Sequence, residues 1–305
     1  MDSTIAFSAI RISTPLIFAA LGGLLTYQAG ILNIALDGFM IVAAFAAITV
    51  AYATESLTLG IVSGVLSAVV FAALLAVFNL RLKANIFIAG IAVTFMAYGL
   101  TALLLKGLLG QEGVFSSDRI PTFSPLRLPL IDDIPAIGPL LSGHTLLVYL
   151  AYLSVPVVAF FLYHTRWGLR VRVVGEAEEA AAAAGINVAN VKFQTMLWSG
   201  VFCGLAGSYL SLGYVSLFAK QMTNERGLIA LAAIFFANGN PYWTAAVALL
   251  FGAATALSVR LPQVTGAAPQ LLQLVPYVVT MLALVAVGVR NTRARNRHGA
   301  WRFEL

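Results

Sequence analysis

Residues 166–192 read RWGLRVRVVGEAEEAAAAAGINVANVK, a charged and helix-forming stretch inside an almost wholly apolar sequence. The residues before it and after it form long apolar runs. Charged side chains are costly in the hydrocarbon core of a bilayer, so a stretch of this kind between two spans must lie in water. We therefore expect a membrane protein that carries a water-exposed arm, with a soluble partner for that arm.

Composition indicates the membrane class for the rest of the chain. Hydrophobic residues make up 60% of the 305 residues and charged residues only 10%, whereas soluble domains have about 25% charged residues. The mean hydropathy is +0.92. A helix needs about 20 apolar residues to cross a bilayer core. Runs near that length lie at 5–25, 31–53, 57–78, 86–105, 145–163, 193–212, 243–259 and 271–289. The sequence predicts an all-α, polytopic transmembrane helix bundle with about eight full spans, in one domain over 1–305.

Basic residues lie at the ends of the apolar runs. They do not form a strip with interleaved aromatic residues, which disfavours nucleic-acid binding despite the net charge of +6. Because Lys and Arg concentrate on the cytoplasmic side of membrane proteins, regions 81–83 and 166–192 and the basic tail 290–305 are predicted to be cytoplasmic. Loop 107–143 carries acidic residues and prolines, and is predicted to be external.

A short apolar run at 227–237 has 11 residues, or about 17 Å of helix, which is too short to span a membrane. It is followed by Asn238, Gly239, Asn240 and Pro241. We expect a broken or re-entrant helix here. Backbone polar groups freed within a bilayer need protein or water as partners, so broken helices indicate a transport path.

A second break lies in the first half of the chain, in YQAGILNIALDGFM at 27–40. Its carboxylate, Asp37, fits two interpretations: a polar group that faces the bundle interior, or a helix-capping residue in a loop at the membrane surface. The breaks and the aromatic residues beside them supply the predicted substrate-pathway residues, which are Asn33, Asp37, Phe235, Phe236, Asn238 and Asn240.

Enzymatic motifs are missing from the sequence. It contains no G-x-x-x-x-G-K-[ST] phosphate loop, no H-E-x-x-H and no G-x-S-x-G, and its three histidines are isolated. The single cysteine, Cys203, lies in an apolar run. We expect no catalytic residue, no metal site and no cofactor in this chain.

Three stretches together carry a resemblance to a known family: YQAGILNIALDGFM, VVGEAEEAAAAAGINVANVK and RGLIALAAIFFANGNP. They resemble the permease subunit of bacterial ABC importers, in the group of the ribose-type, branched-chain amino acid and nucleoside permeases. The form AG-x-LNIALDG is most similar to nucleoside permeases that work with basic membrane lipoprotein-type binding proteins. Sugar permeases usually carry a GGIDLSVG-like string at this place.

The resemblance implies a multi-pass protein of the bacterial inner membrane that works by alternating access. It also implies the partners: ABC ATPase subunits that hydrolyse ATP, a second permease that is homologous or identical, an extracytoplasmic substrate-binding protein, and membrane lipid. The substrate class would be nucleosides, with simple sugars or branched-chain amino acids as alternatives. A stand-alone secondary transporter would need its own coupling-ion site, for which Asp37 is the only deep acidic candidate.

The resemblance further identifies segment 165–192 as a cytoplasmic coupling loop whose helix inserts into a cleft of the ATPase. The residues themselves allow a helix here. Glu176, Glu178 and Glu179 are expected in the first turn of one helix, where negative charge favours the positive end of the helix dipole, and Gly185 can end that helix. Without the resemblance, a solvated loop helix is the favoured interpretation of the segment. The predicted coupling residues are Gly175, Glu176, Glu178, Glu179, Ala182 and Gly185.

Overall fold

A computed structural model describes residues 2–126 and 142–265, with side chains described for 6–126 and 142–259. The helices in these ranges are α1 Asp2–Gln28, α2 Leu36–Thr54, α3 Leu57–Ala76, α4 Ile86–Leu109, α5 Leu146–His164, α6 Arg166–Glu176, α7 Glu178–Ala183, α8 Val188–Ser208, α9 Arg226–Phe236 and α10 Pro241–Thr265. π-helical turns extend α3 over Val77–Arg81 and α8 over Tyr209–Tyr214. Strand β1, Val114–Phe115, pairs antiparallel with β2, Phe218–Ala219.

Seven helices in the described part of the chain are long and apolar enough to cross a membrane, and α9 is a shorter apolar helix. The predicted all-α polytopic bundle is therefore confirmed, as is the short helix near 227–237. The predicted last span at 271–289 and the basic tail 290–305 lie outside the described residues, as does most of the second half of loop 107–143.

Helix ends follow local sequence signals. Asn85 accepts a hydrogen bond from the amide of Phe87, at 2.9 Å, and so caps the start of α4. Gly110 ends the same helix with φ of 64°, a left-handed conformation that glycine adopts without strain. Asn187 caps α8 in the same way as Asn85 caps α4, by accepting from the amide of Asn190.

Helices α1, α2 and α8 form the centre of the bundle, and α1 is buried along nearly its whole membrane-length window. Helices α3, α4 and α5 lie at the periphery and expose large apolar side chains such as Leu66, Leu103 and Leu153. Exposed apolar faces of this size are stable in lipid or against another protein chain, and not in water. The bundle is thus built for a membrane.

Small residues set the approach of α8 to α3. A Cβ added at Gly200 would lie 2.9 Å from the Cα of Val69, and one added at Gly204 would lie 2.6 Å from the Cα of Val65. Both distances are too short for real carbon contacts. Only glycine lets the two backbones come this close, which is the usual function of small-residue stripes in membrane helices.

The two ends of the bundle differ in character. One end, called the arm end here, contains Gln28, the turn at Lys83, α6, α7 and Lys192. The turn at Lys83 and helix α7 lie close together, because residues of both line one groove. The opposite end, or far end, carries the β1–β2 pair, where Phe115 packs edge-on against Tyr52 at a centroid distance of 5.2 Å. Basic residues of two of the three predicted cytoplasmic regions, 81–83 and 166–192, therefore meet at the arm end. That this end is cytoplasmic stays a prediction.

Candidate functional site

The first break meets a non-helical segment that the sequence did not predict, residues 215–225, in the middle of the bundle, whereas the predicted break at 238–241 lies at the arm end against Gln28. Residues 29–35 between α1 and α2 are not helical, so α2 begins only at Leu36, later than the apolar run at 31–53. On the other side, the chain leaves the π turn of α8 and runs without helix to Arg226, where the short helix α9 begins. The start of α2 lies against the start of α9, because a Cβ added at Gly227 would overlap the backbone of Asp37.

Asp37 joins these two helix starts. Its carboxylate accepts hydrogen bonds from the backbone amide of Gly227 at 3.0 Å, from the hydroxyl of Thr223 at 2.8 Å, and from the hydroxyl of Tyr98. The side chain is buried, with 3% exposure. The three donors come from the start of α9, the segment before it and the middle of α4. The structure thus places Asp37 in the interior, one of the two positions that the sequence left open.

The hydrogen-bond donors to the Asp37 carboxylate are all neutral groups. Ion pairs among the described residues join Lys106 to Glu112 and Lys192 to Glu178, and neither includes Asp37. The carboxylate instead stands at the N-terminus of α9, whose dipole favours negative charge. Arg226, the first residue of α9, donates to the carbonyl of Met222 at 3.4 Å. Buried carboxylates are tolerated when hydrogen bonds satisfy their oxygens.

Asn33 fixes the non-helical segment before α2. Its Nδ2 donates to the hydroxyl of Ser199 on α8 at 3.1 Å, and its Oδ1 accepts from the amide of Ala35 at 3.0 Å. The side chain is 1% exposed. Asn33 therefore supplies partners for backbone and side-chain groups that lipid could not satisfy.

Backbone strain concentrates in the segment that precedes α9. Ser216, Gln221, Asn224 and Glu225 all have positive φ, between 44° and 60°. Residues other than glycine avoid this region, and such conformations persist only where the surroundings hold them. In this segment, the Thr223 and Gly227 bonds to Asp37 provide that restraint.

The arm touches the first break directly. Gly175, at the end of α6, lies against Gln28 and Gly30: a Cβ added at Gly175 would overlap the carbonyl oxygen of Gln28 and come within 3.0 Å of the amide nitrogen of Gly30. Gln28 in turn donates from Nε2 to the carbonyl of Gly239, in the turn between α9 and α10, at 2.6 Å. One contact region thus links the arm to both breaks.

The arm consists of two helices and not one. The acidic residues were expected to share the first turn of one helix, but Glu176 ends α6 and Ala177 takes an extended conformation before α7 begins at Glu178. Gly185 follows α7 with φ of 79°, as a helix-ending glycine does. Lys192 of α8 pairs with Glu178 at 2.6 Å and ties α7 to the bundle.

The remaining predicted pathway residues lie at the arm end. Phe235 is 46% exposed and packs edge-on against Tyr27, whereas Phe236 packs against Phe251 of α10 with ring centroids 5.9 Å apart. Asn238 has φ of 49° in the turn. Asn240 caps α10 by accepting from the amides of Tyr242 and Trp243. They lie apart from Asn33 and Asp37, and their role in a pathway stays a prediction.

The chain matches the family described as the permease component of branched-chain amino acid transport systems, over residues 5–284. It belongs to this permease family. The family is one of transport proteins and not of enzymes, and the permease is a multi-pass protein of the inner membrane.

Curated relatives are similar over nearly the whole permease. The nucleoside ABC transporter permease protein NupC of Lactococcus lactis subsp. cremoris is 33% identical, over 89% of this chain and 88% of that protein. The putative glucose ABC transporter permease protein TsgC13 of Haloferax volcanii is 30% identical, over 94% and 92%. The guanosine ABC transporter permease protein NupQ of Bacillus subtilis is 29% identical, over 92% and 91%. No solved structure matches the chain.

Sequence reasoning missed several partners of the central site. Tyr98 carried a weak signal, since a tyrosine halfway along an apolar run needs a partner for its hydroxyl. Thr223 and Gly227 carried none, because their role depends on a residue far away in the chain. Gly175 was predicted as a coupling residue, but its contact with Gln28 could not be derived from the sequence.

Proposed function

We propose that this permease forms the solute pathway of an ATP-driven importer for nucleosides. The similarity to permeases named for nucleoside and guanosine transport supports this substrate class, and so does the AG-x-LNIALDG form at 29–38. The observation that carries the proposal is the contact of Asp37 with Gly227, because it joins the start of α2 to the start of the short helix α9 inside the bundle. Membrane transporters commonly place solute sites where discontinuous helices meet.

ATP hydrolysis is assigned to separate ABC ATPase subunits, with no cofactor in this chain. Helix α7 is suited to dock such a subunit, because Glu178, Glu179 and Ala182 are exposed. A second permease, identical or homologous, and a substrate-binding protein at the far end would complete the importer. These partners follow from the family and from the relatives' names as ABC transporter permeases.

The contacts of the arm suggest how its movement reaches the pathway. ATP-driven closure of the ATPases would shift α6 and α7, and Gly175 would carry that shift to Gln28. From Gln28 the connection runs to Gly239 and the end of α9. A displacement of α9 or of segment 29–35 would alter the junction at Asp37. Rigid helices that move about such junctions are a common way to alternate access.

Simple sugars are the second candidate substrate class. The relative TsgC13, named as a putative glucose permease, supports it at 30% identity over 94% of this chain. Branched-chain amino acids, which the family description names, form a third possibility. Nucleosides are favoured because permeases named for nucleoside or guanosine transport account for two of the three relatives described above.

Uptake of labelled solutes tests the proposal. A strain that lacks the permease gene is complemented with the wild-type chain, and uptake of guanosine, uridine, glucose and leucine is measured. We expect complementation to restore guanosine and uridine uptake and to leave glucose and leucine uptake unchanged. If only glucose uptake is restored, the permease belongs to the sugar class. If uptake of none of the four solutes is restored, the proposal that the permease imports them is rejected.

The coupling role of the arm needs a second experiment. Ala182→Pro breaks α7, since proline in a helix interior costs about 3 kcal/mol or more. The matched control, Ala182→Ser, keeps the helix. With the variant present in the membrane, we expect Ala182→Pro to lose guanosine uptake or co-purification of the ATPase, while Ala182→Ser retains both. Wild-type values of both in Ala182→Pro would reject the coupling assignment.

A further inference from the structure

A cleft opens beside the Asp37 junction, on the side of α4. It has a cavity volume of about 220 Å³, and the residues that matter for its chemistry are Asp37, Thr94, Phe95, Tyr98, Glu225 and Leu228. Three elements form it: the start of α2, the middle of α4, and the start of α9 with the residue before it. The cleft is separate from the arm-end cavity that Phe235 lines.

The depth of the cleft follows from its hydrogen bonds. Tyr98 lies halfway along the 24-residue helix α4, and its hydroxyl donates to Asp37. Asp37 also accepts from the amide of Gly227, two residues after Glu225. Glu225 therefore lies at the level of the middle of a membrane-length helix, far from either end.

Glu225 is exposed at this depth. Among the described residues it forms no ion pair, since the two pairs found there involve Glu112 and Glu178. A carboxylate exposed to lipid at mid-membrane depth is strongly unfavourable, so such residues face a water-filled cavity or another protein. The face of α4 beside Glu225 therefore lines a cavity or a protein contact and not lipid, and it also carries the exposed ring of Phe95.

The groups around the cleft differ in what they can still bind. Asp37 and Tyr98 already bond each other, and Thr94 donates its hydroxyl proton to the carbonyl of Gly90 at 2.9 Å. Thr94 thus keeps only an acceptor for a ligand, and the carboxylate of Glu225 is an acceptor too. Phe95 is 69% exposed and offers a flat apolar face. The cleft combines one stacking surface with acceptors.

We propose that this cleft is the solute-contact site of the permease and that it takes a neutral nucleoside, with the base on Phe95 and hydroxyl or N–H donors on Glu225. This inference rests on the proposed function. A nucleoside supplies both a flat aromatic base and hydrogen-bond donors, whereas a simple sugar has no aromatic base. Solutes with a carboxylate or phosphate would meet the negative charge of Glu225, so free amino acids and nucleotides are disfavoured.

Kinetics of guanosine uptake in the complemented strain test the site. Glu225→Gln removes the charge and Phe95→Leu removes the ring. Their matched controls are Glu112→Gln, at an exposed acid near the end of α4, and Phe160→Leu, at an exposed phenylalanine on α5. We expect the cleft variants to raise the KM for guanosine about tenfold, the loss that one charge-assisted hydrogen bond or one stacking contact produces. The controls should stay near the wild-type KM.

Protection of a cysteine from labelling tests the site independently of transport. Thr94→Cys in a Cys203→Ser background is treated with a water-soluble thiol reagent, in membranes that hold the whole importer. We expect Thr94→Cys to react, and guanosine to slow the reaction more than guanosine 5′-monophosphate does. A control cysteine at the exposed Ser116, at the far end, should react with no slowing by guanosine.

The outcomes separate this inference from the proposed function. If the wild type does not take up guanosine, the proposed function fails and the site fails with it. If the wild type takes up guanosine but the cleft variants keep the wild-type KM and guanosine leaves Thr94→Cys labelling unchanged, the site alone is rejected. Slowed labelling together with a raised KM supports the site.

Discussion

The carboxylate of Asp37 accepts a hydrogen bond from the backbone amide of Gly227 at 3.0 Å, across 190 positions of the chain. Asp37 stands in the first turn of α2 and Gly227 in the first turn of α9, so the bond joins the starts of two helices that both begin inside the bundle. The side chain of one broken segment thereby satisfies the backbone of the other.

Removal of this carboxylate should affect stability as well as transport. Asp37→Leu leaves the donors of Tyr98, Thr223 and Gly227 without a partner, at a cost of about 1–3 kcal/mol for each buried group. We expect loss of guanosine uptake and a lower Tm of the purified complex. Asp37→Asn keeps an acceptor oxygen, and should lose less stability than Asp37→Leu. Equal Tm values for Asp37→Leu and the wild type would contradict the structural role of Asp37.

The close approach at Gly227 gives a second prediction. Gly227→Ala adds a Cβ that would overlap Asp37, and overpacking of this kind costs about 1–3 kcal/mol. Gly99→Ala is the matched control, because a Cβ there meets nothing within 4 Å and alanine stabilises a helix interior relative to glycine by about 1 kcal/mol. Thermal unfolding of the purified complex should rank Gly227→Ala lowest and Gly99→Ala at or above the wild type. The reverse order of Tm values would contradict the close packing of Gly227 against Asp37.

The contact between the arm and the first break should separate docking from transport. Gly175→Ala forces a shift, since its Cβ would overlap the carbonyl of Gln28. The exposed helix α7, which we propose docks the ATPase, is unchanged, so we expect normal co-purification of the ATPase and reduced guanosine uptake. Ala183→Ser, at an exposed position of α7, serves as the control with normal uptake. If Gly175→Ala transports like the wild type, the route from the arm to Gln28 is not needed for coupling.

Orientation in the membrane can be tested by cysteine labelling in the Cys203→Ser background. Because basic residues gather at the arm end, a cysteine at the exposed Ala189 should be protected from an impermeant thiol reagent in intact cells. A cysteine at the exposed Ser116, at the far end, should react. Permeabilised cells provide the control, in which both positions should react. Labelling at Ala189 alone in intact cells would show that the arm end faces the outside, opposite to the prediction.

Much of the architecture was predictable from local sequence. Apolar runs of membrane length gave the spans, because hydrocarbon thickness fixes how many residues a helix needs. Asn238, Gly239, Asn240 and Pro241 marked the end of the short helix, which stops at Phe236. Gly185 marked the end of α7. The division of the arm at Ala177 had no such signal, since the sequence around it favours helix throughout.

The central site shows what local sequence could not determine. The residues of 27–40 indicated a break with polar groups, and left Asp37 either inside the bundle or at its surface. Only the tertiary structure decided between these, because burial depends on which elements pack against the break. The bond to Gly227, the donation from Thr223 and the contact of Gly175 with Gln28 join residues distant in sequence. Such pairs form only when packed helices bring their backbones together. The residue pattern within one segment does not identify the distant segment that packs against it.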